Sequence, residues 1–327
     1  MSAARQIRPP AALSIWAMLC FASGMYASWH GYGGRAFAAT FSVFALYFGV
    51  MLLSAAPAVP NLVSARFGPR TGFVLGLTLF LGYLIYAFGT NTFSLAGVAI
   101  AAAFIFVPLA VAATAGSKSA GAWQDFVIVA AVWVVVKFLL ARRLWPYPGG
   151  RLAYVFTVLL AVDIAIATFL LVRKLPGLGY TIAWGKAWAQ YALGSFCVFA
   201  LIAIPLGLAI HFLVFAPRWS AWRPLPVLFL AILCFTAWPE ELLFRGLLQN
   251  LLARSMKSDL VGWCIASVLF GFSHITNGGF PNWRYAILAT IAGLFYGWTW
   301  RKTGSIFASA LVHALVDALW HFLFRTL

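Results

Sequence analysis

The sequence is poor in charge and especially poor in acidic residues. Only 9% of its 327 residues are Asp, Glu, Lys or Arg, and Glu240 and Glu241 are the only two glutamates. Hydrophobic residues make up 64% of the chain, which is more apolar side chain than a water-soluble domain buries. These proportions exclude a soluble globular protein. They predict an all-α fold, a polytopic membrane helix bundle.

Several chemical signatures are also missing. The cysteines form no Cys-x-x-Cys pair, which excludes a zinc knuckle and gives no disulfide framework; they are Cys20, Cys197, Cys234 and Cys264. The absence of His-Glu-x-x-His argues against a zinc-dependent intramembrane protease of the site-2 type. No Gly-x-Gly-Asp motif supports an aspartyl protease, and no serine–histidine arrangement of the rhomboid kind is present.

The net charge of +16 does not indicate a nucleic-acid partner. The basic residues occur singly or in small groups between apolar runs, as with Arg66 and Arg70 or Arg301 and Lys302. This distribution is typical of loops that meet anionic lipid headgroups. The predicted partner is therefore the lipid bilayer.

Apolar runs long enough to cross a bilayer recur along the whole chain. We predict about eleven membrane-spanning helices, or about ten if the short run 126–141 does not cross. The spans are 11–29, 36–58, 72–90, 94–114, 126–141, 152–172, 191–215, 226–252, 260–275, 284–300 and 305–323. Pro239 lies inside 226–252, and we expect it to divide that span into two helical pieces.

The connection 173–190 is rich in polar residues, glycine and proline, and it is the predicted domain boundary. The first domain, 1–175, is an expected scaffold of about six helices. The second domain, 185–325, holds four of the five histidines and four of the six acidic residues. Asp163 is the acidic residue inside a scaffold span. We expect it to pair locally or face a crevice, with a structural role.

The charged residues of span 226–252 are Glu240, Glu241 and Arg245. A charge at bilayer depth costs about 2.5–3.5 kcal/mol or more, so such residues indicate function. Glu241 and Arg245 are four residues apart in the favoured acid-first order, and we expect them to pair. Adjacent helical positions point about 100° apart. Glu240 therefore faces different neighbours and is the candidate general base.

The next two spans add His274, His313 and Asp317. His313 and Asp317 are four residues apart and share a helix face, which His321 extends by one turn. At about 1.5 Å of rise per residue, these groups and Glu240 lie about 12–21 Å from the same membrane face. Four ionisable groups at similar depth predict one shared site. For His321, near the helix end, we expect an interhelical hydrogen bond.

The three motifs occur in the order Glu-Glu-x-x-x-Arg, Phe-x-x-x-His and His-x-x-x-Asp, on successive spans. This arrangement resembles the CPBP family, which includes the type II CAAX prenyl endopeptidases and the Abi-type bacteriocin-processing and immunity proteins. The matching positions are Glu240, Glu241, Arg245, Phe270, His274, His313 and Asp317. The resemblance covers about 185–325, which is less than half of the chain. It implies a CPBP-like intramembrane protease domain.

The resemblance also implies catalytic roles. Glu240 and His274 would activate a water molecule for attack on a peptide carbonyl. His313 and Asp317 would stabilise the oxyanion or help to hold a metal, while Glu241 with Arg245 would shape the site. The family typically has Asn where this chain has Asp317, and an ionised Asp cannot donate to an oxyanion. Asp317 would then be protonated, orient His313 or bind a metal.

The sequence leaves open whether the site binds a metal, because two histidines and a glutamate form an adequate zinc set. A metal-independent, glutamic-type site is the favoured alternative. The expected partner is a membrane-anchored or lipidated peptide or protein substrate, and the expected location is a bacterial inner membrane.

Two other functions compete with the protease. A proton- or cation-coupled transporter would use Glu240 and Glu241 as a relay, and a non-proteolytic Abi-type immunity protein would retain the site. The transporter hypothesis predicts inverted repeats and broken helices in both halves of the chain. No counterpart of Pro239 is evident in the first half.

Overall fold

A computed structural model of the protein describes residues 5–116, 119–138 and 141–326. In this part of the chain the first helices are α1 Pro9–Trp29, α2 Gly34–Leu53, α3 Ala58–Phe67, α4 Thr71–Gly89, α5 Leu95–Ala115, α6 Trp123–Phe138, α7 Ala141–Leu144 and α8 Gly150–Ala165. Helix α8 continues as a π-helix, Ile166–Val172. The later helices are α9 Lys186–Ala209, α10 Leu225–Ser255, α11 Asp259–Ser273, α12 Trp283–Thr303 and α13 Ile306–Leu323.

The prediction of a polytopic all-α membrane protein is confirmed. Among the described residues, eight helical segments are long and apolar enough to cross a membrane, and two shorter apolar helices accompany them. Each predicted span overlaps a helix. Span 126–141 overlaps α6, and its predicted end includes residues 139 and 140, which lie outside the described residues.

Two span boundaries were wrong. Helix α3 occupies Ala58–Phe67, where the sequence indicated a loop. Span 191–215 ends as a helix at Ala209. His211 then has a φ of 53°, and this left-handed turn stops the helix. Residues Leu213–Phe215 form strand β3 instead.

The strands are short and were not predicted. They are β1 Arg5–Gln6, β2 Ala183–Trp184, β3 Leu213–Phe215 and β4 Phe324–Thr326. Strands β3 and β4 form an antiparallel ribbon in which Val214 pairs with Arg325. The ribbon satisfies backbone groups beyond the ends of α9 and α13.

The chain separates into two compact units, Gln6–Pro176 and a second unit that begins at Gly177. In the first unit, α2 packs on α1, α4 and α8, and α5 packs on α4 and α6. Trp145 is fully buried at its centre, within 4.7 Å of the Tyr86 ring centroid. The Tyr86 hydroxyl donates to the Tyr147 carbonyl at 2.7 Å and closes this aromatic core. The assignment of scaffold and protease domains stays a prediction.

Asp163 is fully buried in the first unit, and its two carboxylate oxygens make no hydrogen bond with any described residue. The expected local pairing is therefore not observed. Burying an unpaired carboxyl group is costly, so Asp163 is an exception to the usual pairing of buried polar groups.

In the second unit, α12 packs on α9 and α11, while α13 packs on α9, α10 and α12. Helices α11 and α12 approach so closely at Gly293 that a β-carbon there would lie only 3.0 Å from the Ser267 Cα atom. Four of these helices, α10 to α13, bring the predicted site residues together.

A buried ion pair holds the start of α6 to the chain that follows the π-helix of the first unit. Arg173 Nε lies 2.8 Å from Asp125 Oδ1, and Arg173 Nη2 lies 3.1 Å from Asp125 Oδ2. The guanidinium also donates to the Gly116 carbonyl at 2.9 Å. This bidentate contact therefore spans three segments.

Replacing Arg173 with Gln is expected to lower the free energy of unfolding by about 3–5 kcal/mol, because it leaves the buried Asp125 carboxylate without its cation. Lys174→Gln is the control. It removes an exposed charge one residue later and should change stability by less than about 0.5 kcal/mol. Chemical denaturation in detergent micelles measures both. Equal stability of the two variants would contradict this role for Arg173.

Candidate active site

Helix α10 carries the two glutamates and does not break at Pro239. It runs without interruption from Leu225 to Ser255, so the expected division into two pieces was wrong. Two π-helical segments, Leu233–Ala237 and Leu242–Gln249, flank the turn Trp238–Glu241. Proline lacks an N–H and clashes with the preceding turn, and the wider π turn before it accommodates this defect within a continuous helix.

The predicted pair of Glu241 and Arg245 is confirmed. Arg245 Nε lies 3.2 Å from Glu241 Oε2, and both side chains are buried. Arg245 Nη2 donates to the Gly293 carbonyl at 3.1 Å. Its guanidinium carbon lies 4.6 Å from the centroid of the Phe270 ring. The cation is therefore held by a carboxylate, a backbone carbonyl and an aromatic face.

Glu241 also binds the helix that carries His313. Its Oε1 atom lies 2.9 Å from His313 Nδ1, and its Oε2 atom accepts a hydrogen bond from Ser309 Oγ. An ionised carboxylate only accepts, so His313 Nδ1 carries the hydrogen. The role of Glu241 is thus wider than the predicted pairing with Arg245, because it also sets the orientation of the His313 ring.

The His313 ring is fixed on its other sides by aromatic residues and by Asp317. It stacks on Tyr296, with ring centroids 4.6 Å apart and planes 18° apart. Phe270 contacts it edge-on at 5.6 Å. His313 Nε2 lies 3.6 Å from Asp317 Oδ2, so the expected shared face of these residues is confirmed.

His274 lies immediately after the end of α11. Its Nδ1 atom is 2.8 Å from the Phe270 carbonyl and 3.0 Å from Ser273 Oγ. A carbonyl only accepts, so Nδ1 carries the hydrogen and Nε2 holds the lone pair of the neutral ring. The ring also lies 5.0 Å from that of Tyr285.

One cavity of about 280 Å³ joins these groups. Glu240, His274, His313 and Asp317 all line it. Glu241 and Arg245 are not part of its lining. Both side chains are buried. Their hydrogen bonds to Ser309, His313 and the Gly293 carbonyl position the helices that form the cavity wall. The two neighbouring glutamates therefore have different surroundings, as their helical spacing predicts.

Comparison with known protein families agrees with this geometry. Residues 221–319 match the family described as type II CAAX prenyl endopeptidase Rce1-like. This segment is similar to CAAX-type intramembrane proteases. The match spans less than half of the 327-residue chain, and it contains all six predicted site residues. No curated protein and no solved structure matches the chain.

The similarity to this protease family suggests a membrane-associated peptide substrate. The long apolar helices make the protein an integral multi-pass membrane protein.

Several cavity residues were not predicted from the sequence. They are Thr236, Asn277, Tyr285, Tyr296 and Trp320. Ser309 was also missed, although it lies one helical turn before His313 on the face shared with Asp317, and this spacing is a detectable signal. His321, on the helix face shared with His313 and Asp317, also lines the cavity, and its expected interhelical hydrogen bond stays a prediction.

The donor geometry of the site does not support the hypothesis of a bound zinc ion. Within residues 5–116, 119–138 and 141–326, no three His, Cys, Asp or Glu side chains converge as a metal-binding group. His313 Nδ1 is already bonded to Glu241 and leaves Nε2 as the second ring nitrogen. The residues present in the described ranges do not form a recognisable zinc set.

Removing the Arg245 cation is expected to destabilise the second unit. Arg245→Leu should lower the free energy of unfolding by about 3–5 kcal/mol, because Glu241 is then a buried charge without its cation. Adding Glu241→Gln to that variant should restore part of the loss. Denaturation in detergent measures the cycle.

The control for this cycle is Arg254→Leu, which removes an exposed arginine from the same helix and should cost less than about 1 kcal/mol. Additive effects of Arg245→Leu and Glu241→Gln would show that the two side chains are not energetically coupled.

Proposed function

We propose that this protein is an intramembrane endopeptidase that hydrolyses a peptide bond in a membrane-anchored or lipidated substrate. The observation that carries the proposal is the cavity lined by Glu240, His274, His313 and Asp317, which come from three different parts of the fold. Burying four ionisable groups for packing alone would be costly, whereas a water-filled cavity allows them to act on substrate. The match to the protease family supports the same chemistry.

Glu240 and His274 form the water-activating pair in this proposal. The neutral His274 ring has its hydrogen on Nδ1, held by the Phe270 carbonyl, so Nε2 accepts the proton. Glu240 lines the same cavity and is part of the helix that is held by the Glu241 contacts. The activated water attacks the carbonyl carbon of the scissile amide, and the abstracted proton passes to the leaving nitrogen.

His313 stabilises the oxyanion. Glu241 holds His313 Nδ1–H, so the ring presents Nε2 as its second polar atom. A protonated Nε2 donates a hydrogen bond to the developing negative charge. Asp317 Oδ2, at 3.6 Å from Nε2, favours that protonated ring by Coulomb attraction. In this proposal Asp317 acts through His313, so the carboxylate itself need not donate to the oxyanion.

The remainder of the cavity suits a substrate with an apolar membrane-bound portion. Its other walls carry Phe196, Phe199, Ile204 and Leu288. These side chains offer an apolar surface next to the ionisable groups, so a lipidated peptide would contact both. We propose a bacterial inner membrane as the location of the reaction.

Replacing Glu240, His274 or His313 with Ala is expected to reduce cleavage of a prenylated peptide by about 100-fold or more, the range typical of a lost acid–base or oxyanion group. Purified variants in proteoliposomes, with product measured by mass spectrometry, provide the test. Thermal unfolding confirms that each variant is folded.

The control for these variants is His211→Asn, an exposed histidine outside the cavity whose left-handed backbone Asn tolerates. It should cleave at the wild-type rate. Full activity of the Glu240, His274 and His313 variants would disprove the assignment. Proton-driven flux in the same vesicles without any cleavage would support the competing transporter.

Asp317 gives a separate test of the oxyanion assignment. Asp317→Asn keeps the size of the side chain but removes the charge that favours the protonated His313 ring, so Asp317→Asn and Asp317→Ala should both lose about 10²–10³-fold. Near wild-type activity of Asp317→Asn would contradict a role that acts through this charge, and it would indicate that an amide donor at this position stabilises the oxyanion directly.

A further inference from the structure

A second cavity, of about 490 Å³, lies in the same unit as the candidate active site and belongs to different residues. Gln249, Asn250 and Arg254 of α10 form one wall. Gln249 is about 13 Å further along that helix than Glu240, at about 1.5 Å per residue. The C-terminal end of α12 forms the opposite wall. This cavity is not used by the proposed peptidase chemistry.

The charge of the second cavity is positive. Arg254, Arg301 and Lys302 line it, and Asp259 is the one acidic residue of the lining. Three cations and one carboxylate leave a net charge of +2. A ligand that compensates this charge is an anion.

Aromatic rings and an amide hold the three cations in place. Lys302 Nζ lies 4.4 Å from the centroid of the Trp298 ring, and Arg301 lies 5.3 Å from that of Trp263. Arg254 Nε donates to Asn250 Oδ1 at 2.9 Å. These contacts restrict side chains that would otherwise be mobile at a surface, so the cations are arranged before a ligand binds.

Two buried polar atoms belong to residues that line this cavity. Gln249 is 1% exposed, and its Oε1 atom makes no hydrogen bond with any described residue. The Trp300 Nε1 atom is also buried and makes no hydrogen bond with any described residue. The first is an acceptor and the second a donor, so a ligand with both a hydroxyl group and anionic oxygens would satisfy both.

The position of the cavity at the ends of helices indicates where the ligand comes from. Helix α10 ends at Ser255, α12 ends at Thr303, and Gly304 lines the cavity at the turn into α13. Tryptophan and basic residues at helix ends are typical of the headgroup layer of a bilayer. Basic pockets at this level bind phosphate-bearing headgroups.

We propose that this second cavity binds a phosphate ester that carries a neighbouring hydroxyl group, the chemistry of a phosphatidylglycerol headgroup. Arg254, Arg301 and Lys302 contact the phosphate oxygens. The hydroxyl group donates to Gln249 Oε1 or to the Asp259 carboxylate. The lipid headgroup and a soluble glycerol phosphate share this chemistry, and the experiment separates them.

The test measures binding to the full-length protein in detergent by native mass spectrometry and thermal unfolding. Phosphatidylglycerol should bind saturably and raise the unfolding temperature, since a ligand that binds only the folded state stabilises it. Phosphatidylcholine should do neither. Soluble glycerol phosphate is the third probe. Saturable binding of either phosphate ester supports the site, and binding of the lipid alone assigns the ligand to the membrane.

The decisive variant is the triple substitution Arg254→Gln, Arg301→Gln and Lys302→Gln. It should weaken phosphatidylglycerol binding by about 100-fold, because each basic residue contributes several-fold to the binding of an anionic headgroup. The matched control removes three other arginines of the same unit, with Arg218→Gln, Arg223→Gln and Arg284→Gln. The control should bind like the wild-type protein.

Equal weakening in both triple variants would overturn the proposal, since it would reduce the effect to overall charge. Equal binding of phosphatidylglycerol and phosphatidylcholine would overturn it as well. Neither result bears on peptide cleavage, which is assayed separately.

The hydroxyl contact has its own test. Gln249→Leu should reduce the preference for phosphatidylglycerol over phosphatidylmethanol, an anionic diester whose headgroup has no hydroxyl, by about tenfold. The ratio between the two lipids is informative even if the variant is less stable. An unchanged ratio would remove Gln249 from the proposed site.

Discussion

The carboxylate of Glu241 is the contact on which the arrangement of the candidate site depends. It accepts from Ser309 and His313 of α13, and it pairs with Arg245, which in turn donates to the Gly293 carbonyl of α12. One anion thereby ties three helices together. Each of these polar side chains would be costly to bury without a partner in an apolar surrounding. Their hydrogen bonds and ion pairs offset that cost, so loss of one contact weakens the others.

The backbone of α10 explains how two adjacent glutamates take different surroundings. The turn Trp238–Glu241 lies between two π-helical segments. A π segment widens the helix and shifts the direction of the side chains that follow. The turn itself keeps the ordinary twist of about 100° between adjacent residues, so Glu241 lies in the packed interior while Glu240 lines the cavity. Pro239 thus changes the local geometry of the helix without ending it.

Polar residues of the first unit show a different use of buried charge. Arg173 and Asp125 form a bidentate pair that connects segments at helix ends, and no cavity residue of the candidate site takes part. Asp163 is buried without a hydrogen-bond partner among the described residues. A polar residue inside a membrane protein is therefore not by itself evidence of a catalytic role. Convergence on one cavity separates Glu240 and His274 from these residues.

Composition and spacing determined that this protein is a helical membrane protein. They also determined the approximate spans, the pairing of Glu241 with Arg245 and the shared face of His313 and Asp317, because helix periodicity and hydropathy are local properties of the chain. Only the tertiary structure decided that α10 stays continuous at Pro239, that Ser309 and His313 bind Glu241, and that a strand follows Ala209. Those outcomes depend on contacts between residues far apart in sequence, and no local pattern encodes which helix supplies the partner.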